Sequence, residues 1–265
     1  LVRRTKDGPI WTGKVRLEED RVMQPLRRRV PSMIFVDSMS DLLHKGLADE
    51  QIDQPFASML LSPWHRYVFL TKRADRLAEY TTSPELYKRV LAAAEPMRRA
   101  LPRLMTVGIS NPATMPAGWI WGGVSAGYQE ALDERIVGLL RASLAVRVLS
   151  LEPLIGPVTV WKWLRPHHHV WSEAPVRGCA ACTVRKDHDI DHNASISWVI
   201  TGAESGPGRR ACELGWIRDL RDECALGNVP FFFKQWVDGE GKHGLPELDG
   251  RTWAMWPRSH ATWPW

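Results

Sequence analysis

Residues 197–236 have the sequence SWVITGAESGPGRRACELGWIRDLRDECALGNVPFFFKQW, and this stretch contains one complete strand, loop, helix and strand. Residues 198–200 are short, apolar and typical of a buried strand. Residues 213–226 place apolar side chains at helical spacing, so they predict an amphipathic helix that Gly227 and Asn228 end. Residues 229–233 form the next apolar strand. Apolar strands joined by helices are typical of a parallel sheet that is covered by other layers.

The rest of the chain repeats this alternation. We predict strands near residues 33–37, 66–70, 119–124, 146–151, 197–201 and 229–234. Six strands alternating with helices predict an α/β fold, a partial or complete parallel (βα) barrel resembling a TIM barrel, in residues 33–237. An open doubly wound sheet is the alternative.

The two ends of the chain differ from this central domain. Residues 1–32 carry nine Lys or Arg against four Asp or Glu by residue 30, and they predict a basic, extended lead-in. The formal net charge is +5. This surplus indicates either a face that binds a nucleic-acid backbone or an ordinary solvated surface. Residues 238–265 form a tail rich in tryptophan, which we expect to pack against the domain or a protein partner.

The chain has no apolar run of about 18 residues and does not open with a signal peptide, so we expect a soluble, cytoplasmic protein with no membrane contact. Its first residue is Leu rather than Met, which suggests a fragment.

Polar residues follow the predicted strands, at the edge where ligands bind in parallel sheets. We expect this edge to bring Asp37, Lys72, Glu152, Glu204 and Lys234 around one common cavity. The residues that we expect to act on a substrate are Asp37, Ser38, Asp41, Lys72, Arg73, Glu152, Glu204 and Lys234. Those that we expect to bind a cofactor are Ser40, Ser125, Gly202, Ser205 and Gln235. Carboxylates and hydroxyls suit ribose or amines, whereas the cations suit carboxylate or phosphate. The alternatives are ion pairs at the sheet edge and, for Gly202, a tight turn.

Residues 165–195 form a polar insertion rich in histidine and cysteine. Cys179 and Cys182 have the spacing of half a zinc site, which His188 with His192, or one of His167 to His169, can complete. We therefore predict a small structural zinc knuckle. A reduced loop with chance histidines is the alternative.

Seven segments resemble the phage-associated three-Cys-motif proteins, a group similar to radical S-adenosylmethionine (radical-SAM) enzymes. They are FVDSMSDLLH (35–44), LTKRADRL (70–77), WGGVS with DERI (121–136), VRVLSLEPLIGPV (146–158), WVITGAESGPGRR (198–210), VPFFFKQW (229–236) and LDGRTW (248–253). The resemblance covers nearly the whole chain except the insertion.

This resemblance implies a barrel in which three cysteines, spaced C-x6-C-x2-C, hold a [4Fe-4S] cluster that binds S-adenosylmethionine. In that family the cysteines lie upstream of the position of Leu1, and none of Cys179, Cys182, Cys212 and Cys224 matches them. Either an upstream segment is missing or this member has discarded the cluster. Because such a cluster needs three converging thiolates, we expect the printed chain not to assemble it.

Two functions follow. The first is a radical-SAM-like enzyme, or the remnant of one, that acts on nucleic acid or a nucleotide-derived substrate. The second is a noncatalytic module that binds nucleic acid or protein on the same scaffold.

Overall fold

The computed structural model describes residues 2–5, 8–12, 15–38, 40–164, 190, 194–239 and 241–257. The strands are β1 (Val2–Thr5), β2 (Gly8–Trp11), β3 (Met33–Val36), β4 (Arg66–Thr71), β5 (Ile120–Ser125), β6 (Val146–Leu151), β7 (Trp198–Gly202), β8 (Phe231–Val237), β9 (Lys242–Gly244), β10 (Glu247–Leu248) and β11 (Arg251–Thr252). The α-helices are α1 (Glu19–Arg27), α2 (Asp49–Leu60), α3 (Ala74–Thr82), α4 (Leu86–Ala100), α5 (Gln129–Arg141) and α6 (Leu214–Gly227).

The main sheet has seven strands in the order β3-β4-β5-β6-β7-β8-β9. Strands β3 to β8 pair in parallel, and β9 adds to β8 in the antiparallel direction. The fold is thus mixed α/β, with a mostly parallel curled sheet, a half-barrel, flanked by helices. Each predicted strand is confirmed with boundaries that shift by at most three residues.

The strand order decides between the two predicted sheet types. A doubly wound sheet reverses its order at a switch point, whereas the parallel strands here follow the chain without reversal. Right-handed crossovers that always proceed in the same direction along the sheet put every connecting helix on the same face. A sheet whose helices lie on one face can curl towards a barrel, so this strand order favours a curled sheet. The doubly wound alternative is therefore wrong. Within the part of the chain that the structure describes, β3 and β9 are the edges, so the barrel is partial.

The two faces of the sheet are packed differently. The face covered by helices belongs to the large core, in which Tyr67, Phe69 and Phe231 are fully or almost fully buried. We call the other face the open face. It carries a small cluster of side chains, Val68, Trp121, Val146, Val148, Trp198 and Ile200. Alternation along each strand separates the two sets, as expected for a pleated sheet.

The prediction of an extended lead-in in residues 1–32 is wrong at helix α1. Leu26 is completely buried in the core, and the Ser58 hydroxyl donates to the backbone oxygen of Val22 at 2.6 Å. Tertiary packing on α2 therefore stabilises a helix that contains Pro25. Helix α3 was also not predicted, because only two residues, Lys72 and Arg73, separate it from β4.

Two tryptophans of the tail pack against the domain itself. The Trp256 ring lies 4.8 Å from that of Trp198 and 5.0 Å from that of Phe232, which covers part of the open face. The Trp253 ring lies 6.2 Å from that of Phe231, and the Phe233 N–H donates to the Trp253 backbone oxygen at 2.7 Å. These contacts agree with the first of the two predicted roles. The partner contact stays a prediction, since residues 258–265 lie outside the described residues.

No helix in the described ranges is both long enough and apolar enough to cross a membrane.

Candidate functional site at the carboxyl edge of the sheet

The predicted site residues lie at or next to the carboxyl ends of their strands. Asp37 follows β3, Lys72 follows β4, Glu152 follows β6, Glu204 follows β7 by two residues, and Lys234 lies within β8. Because the strands are parallel, all of them belong to one edge of the sheet. Their side-chain contacts, however, divide them into separate groups.

Glu152 and Lys234 form a pair across the end of β7. Lys234 Nζ donates to Glu152 Oε2 at 2.8 Å, and the side chains are 54% and 15% exposed respectively. The β7–β8 pairing is irregular at Lys234, but Glu152 lies four residues after Val148 of the open-face cluster, so strand alternation puts Glu152, and the Lys234 bonded to it, on that face. An ammonium and a carboxylate of this protein therefore stand together at the rim of the open face.

Asp41 connects the loops after β3 and β4. Its Oδ1 accepts a hydrogen bond from the Thr71 hydroxyl at 2.8 Å, and its Oδ2 pairs with the Arg73 guanidinium. Oδ1 also accepts from the backbone N–H of Leu43 at 3.0 Å. Asp41 and Arg73 thus fix the two loops, as the ion-pair alternative predicts.

Glu204 pairs with Arg210 in its own loop. Arg210 Nε donates to Oε2 at 2.8 Å and Nη2 donates to Oε1 at 2.7 Å, so the pair is bidentate. The Arg210 side chain and backbone N–H lower the pKa of Glu204 to about 2, which keeps the carboxylate ionised at neutral pH. Gly206 and Gly208, at φ 104° and 70°, fold the loop back.

Gly202 and Gln235 lie in the tight pairing of β7 with β8. The Gln235 amide donates to the Ala203 oxygen at 2.7 Å and is buried. A Cβ at Gly202 would lie 3.0 Å from Gln235 Cγ and 3.1 Å from its backbone oxygen. These contacts support close strand packing, rather than a cofactor loop, as the reason for the glycine.

Asp37 has an unusual position in the turn after β3. Its φ is 60°, uncommon for a residue other than glycine. Oδ2 accepts from the Leu42 N–H at 2.6 Å, whereas Oδ1 is buried without a hydrogen-bond partner. Burial, aided by the nearby Asp41 charge, raises the pKa of Asp37 to about 8. Its carboxyl is therefore mainly neutral at pH 7.

The other predicted residues have few contacts. The side chains of Ser38, Ser40, Lys72 and Ser205 are exposed, and Ser125 is half-buried with its carbonyl accepting from Arg135 at 2.6 Å. Ser38 and Ser40 line a cavity with Asp37 and Asp41, and the walls of that cavity include none of Lys72, Glu152, Glu204 and Lys234. The cavity at Asp37 is therefore not the common cavity that we expected these charged residues to surround.

The sequence did not single out Thr71 or Arg210, although each binds a predicted carboxylate. Thr71 is the last residue of β4, directly after an apolar run, and a hydroxyl at that position is a detectable signal. Arg210 is six residues from Glu204, and only the path of the glycine-containing loop brings the two together.

The predicted zinc ligands Cys179, Cys182, His188 and His192 lie outside the described residues. The described cysteines are Cys212, half-buried, and Cys224, buried. Burial and the neighbouring Glu213 raise the pKa of Cys212 to about 11, and burial also raises the pKa of Cys224. In the ranges that the structure covers, no three or more His, Cys, Asp or Glu side chains form a group suited to a metal ion.

The chain matches a known protein family. Residues 3–257 match the family described as "Protein of unknown function (DUF5131)". The chain belongs to this family. No curated protein and no solved structure matches it. The DUF5131 match includes both the carboxyl edge and the cavity at Asp37.

Proposed function

We propose that this DUF5131 protein is a radical-SAM-like enzyme, or a descendant of one, that binds a nucleotide-derived ligand at the carboxyl edge of its barrel-type sheet. The observation that carries the proposal is the Glu152–Lys234 pair at the rim of the open face. The resemblance of the sequence to the three-Cys-motif proteins suggests S-adenosylmethionine as this ligand.

The charges of the pair complement those of an amino-acid group. S-Adenosylmethionine ends in an ammonium and a carboxylate, so Glu152 can bind the first and Lys234 the second. The ligand would replace one internal ion pair, joined at 2.8 Å, by two charge-assisted contacts. The half-buried Leu70 and Phe232, which pack on the open-face cluster, offer an apolar surface for the adenosyl group, whereas Trp198 and Ile200 within the cluster are buried.

The described residues do not fit the [4Fe-4S] cluster that the resemblance implies. A cluster of this kind needs three thiolates on one cube. Here Cys212 precedes α6 and Cys224 lies near its end, and the raised pKa values of both thiols oppose thiolate formation. The proposal therefore concerns ligand binding, and it assigns no step to a cluster.

Calorimetric titration of the protein with S-adenosylmethionine tests the proposal. The Glu152→Gln variant should bind about 10- to 100-fold more weakly, since a hydrogen bond between charged groups is worth about 1.5–3 kcal/mol. Glu204→Gln is the matched control, because Glu204 lies at the same edge but pairs with Arg210. Absence of binding to the unaltered protein at millimolar ligand, or equal losses in both variants, would reject the proposal.

A noncatalytic nucleic-acid module is the second candidate, and one observation favours it. Arg27, Arg28 and Arg29 are exposed just before β3 begins, at the opposite edge of the sheet. The Arg103 guanidinium donates to the Leu26 oxygen, which adds a fourth arginine to this group. Binding of an oligonucleotide that weakens steeply with salt, without any binding of S-adenosylmethionine, would favour this module.

A further inference from the structure

A cavity of about 700 Å³ lies between residues 15–28, strand β3 with its following turn, and helix α2. Small-molecule sites commonly have volumes of about 300–1,000 Å³. The cavity walls include Val15, Leu17, Val22, Ile34, Val36, Leu42 and Met59. The Glu152–Lys234 pair does not line it, so this site is independent of the function proposed above.

The strand beside the cavity is incompletely packed. Ile34 and Val36 of β3 point to the helix face but are only half-buried. Their parallel partners on β4, Tyr67 and Phe69, are both 0% exposed. Protein interiors are normally close-packed. The cavity therefore leaves apolar surface on β3 that an apolar molecule can cover.

Two arginines stand at the opening of the cavity. Arg21 and Arg28 line it and have exposed side chains. Neither has a carboxylate partner in the described ranges, whereas Arg16, also in the lining, pairs with Glu18 at 2.6 Å. The opening thus provides two guanidinium groups to an anion.

Asp37 adds a polar group to the wall. Its Oδ1 is buried without a hydrogen-bond partner, and its backbone is held at φ 60°. Rotation about the terminal side-chain bond is broad for aspartate, so this oxygen can turn towards a bound molecule, in exchange for the hydrogen bond that Oδ2 accepts from the Leu42 N–H. The raised pKa of Asp37 agrees with a neutral carboxyl that can both donate and accept.

We propose that this cavity binds an amphipathic organic anion. Its apolar body would lie against Ile34 and Val36, its anionic group would face Arg21 and Arg28, and a polar group on the body would bond to Asp37. A half-buried carboxyl with one unpartnered oxygen, an apolar wall and, at one opening, two arginines without a carboxylate partner in the described ranges together favour such a molecule over a purely apolar one.

Fluorescence titration with 8-anilinonaphthalene-1-sulfonate, an apolar aromatic anion, tests the proposal. We expect one dye per chain, displaced by decanoate but not by decanol at equal concentration. Val36→Phe should weaken binding because its ring would occupy the part of the cavity beside β3 in which the apolar body is proposed to lie. Arg28→Glu should weaken it about fivefold or more by reversing a charge at the opening. Arg29→Glu is the matched control, since Arg29 is exposed but does not line the cavity.

Three outcomes would overturn the proposal. They are no saturable binding, equal effects of Arg28→Glu and Arg29→Glu, and unchanged binding in a folded Val36→Phe variant. Circular dichroism shows whether that variant folds. If it does not, the two surface variants alone decide the result.

Discussion

Asp37 is the residue whose chemistry differs most from its ordinary behaviour. Its raised pKa, about 8, arises mainly from burial, which outweighs the hydrogen bond from Leu42. In the unfolded chain the pKa returns to its ordinary value near 3.8. At pH values between these two pKa values, the Asp37 carboxyl is protonated in the folded protein and ionised in the unfolded chain. The free energy of unfolding therefore falls as the pH rises through this interval.

The Asp37→Asn variant should lose this pH dependence. Asparagine tolerates positive φ, so the turn can persist. Between pH 5 and pH 8 the unfolding free energy of the unaltered protein should fall relative to that of the variant by up to about 1.4 kcal/mol per pH unit. Charged groups facing Asp37, namely Asp41 and the cavity residues Arg16, Glu18, Arg21 and Arg28, are present in both proteins. Urea denaturation at each pH measures the difference, and a constant difference would show that Asp37 is ionised throughout.

A single substitution at Gly202 tests whether this glycine is required for strand packing or for cofactor binding. Gly202→Ala would place a methyl group 3.1 Å from a backbone oxygen of Gln235, which cannot move freely. We expect a loss of about 1–3 kcal/mol in thermal or urea unfolding. Gly215→Ala is the control, because a Cβ there meets no atom within 4 Å and the residue lies in helix α6. Equal stabilities of the two variants would contradict this reading of Gly202.

At the scale of elements, the sequence predicted the six parallel strands because their apolar residues form short, separate runs. It failed for α1, whose apolar face contains only Val22 and Leu26 among its buried residues and is interrupted by Pro25. The packing of Leu26 on the core decides that helix, and local sequence does not contain this information. The edge position of the site residues was also predictable. Their pairing was not, because it depends on the paths of the loops.

A buried polar network connects three helices, α2, α3 and α4. The Tyr80 hydroxyl donates to Asp53 Oδ1 at 2.7 Å, and Arg89 Nε donates to Oδ2 at 3.0 Å. The Asp53 side chain is only 2% exposed, so its carboxylate depends on these donors.

Tyr80→Phe should therefore lower the unfolding free energy by about 1–3 kcal/mol, since it leaves a buried carboxylate oxygen without its donor. Tyr87→Phe, in a half-buried position on α4, is the matched control and should change stability by less than about 0.5 kcal/mol. Chemical denaturation of both variants measures this. A loss in Tyr80→Phe no larger than that in the control would show that Arg89 alone satisfies Asp53.

For the whole molecule, sequential strand order leaves one face of the sheet free of helices. The C-terminal segment covers part of that face through Trp256, and the charged pair stands at its rim. Glu152 and Lys234 are 82 residues apart in the chain, and only the placement of β6 and β8 on either side of β7 brings them together. Sequence alone places each at the edge but cannot select the pair.

The most direct test of the central claim compares two ligands in two proteins. Decarboxylated S-adenosylmethionine lacks the carboxylate that Lys234 is proposed to bind. The unaltered protein should prefer S-adenosylmethionine by about tenfold, the value of one charge-assisted contact of about 1.4 kcal/mol. In Lys234→Met this preference should disappear, whereas in Lys72→Met, an exposed lysine at the same edge, it should persist. A preference that survives in Lys234→Met, or that is absent from the unaltered protein, would contradict the assignment of the carboxyl edge as the binding site.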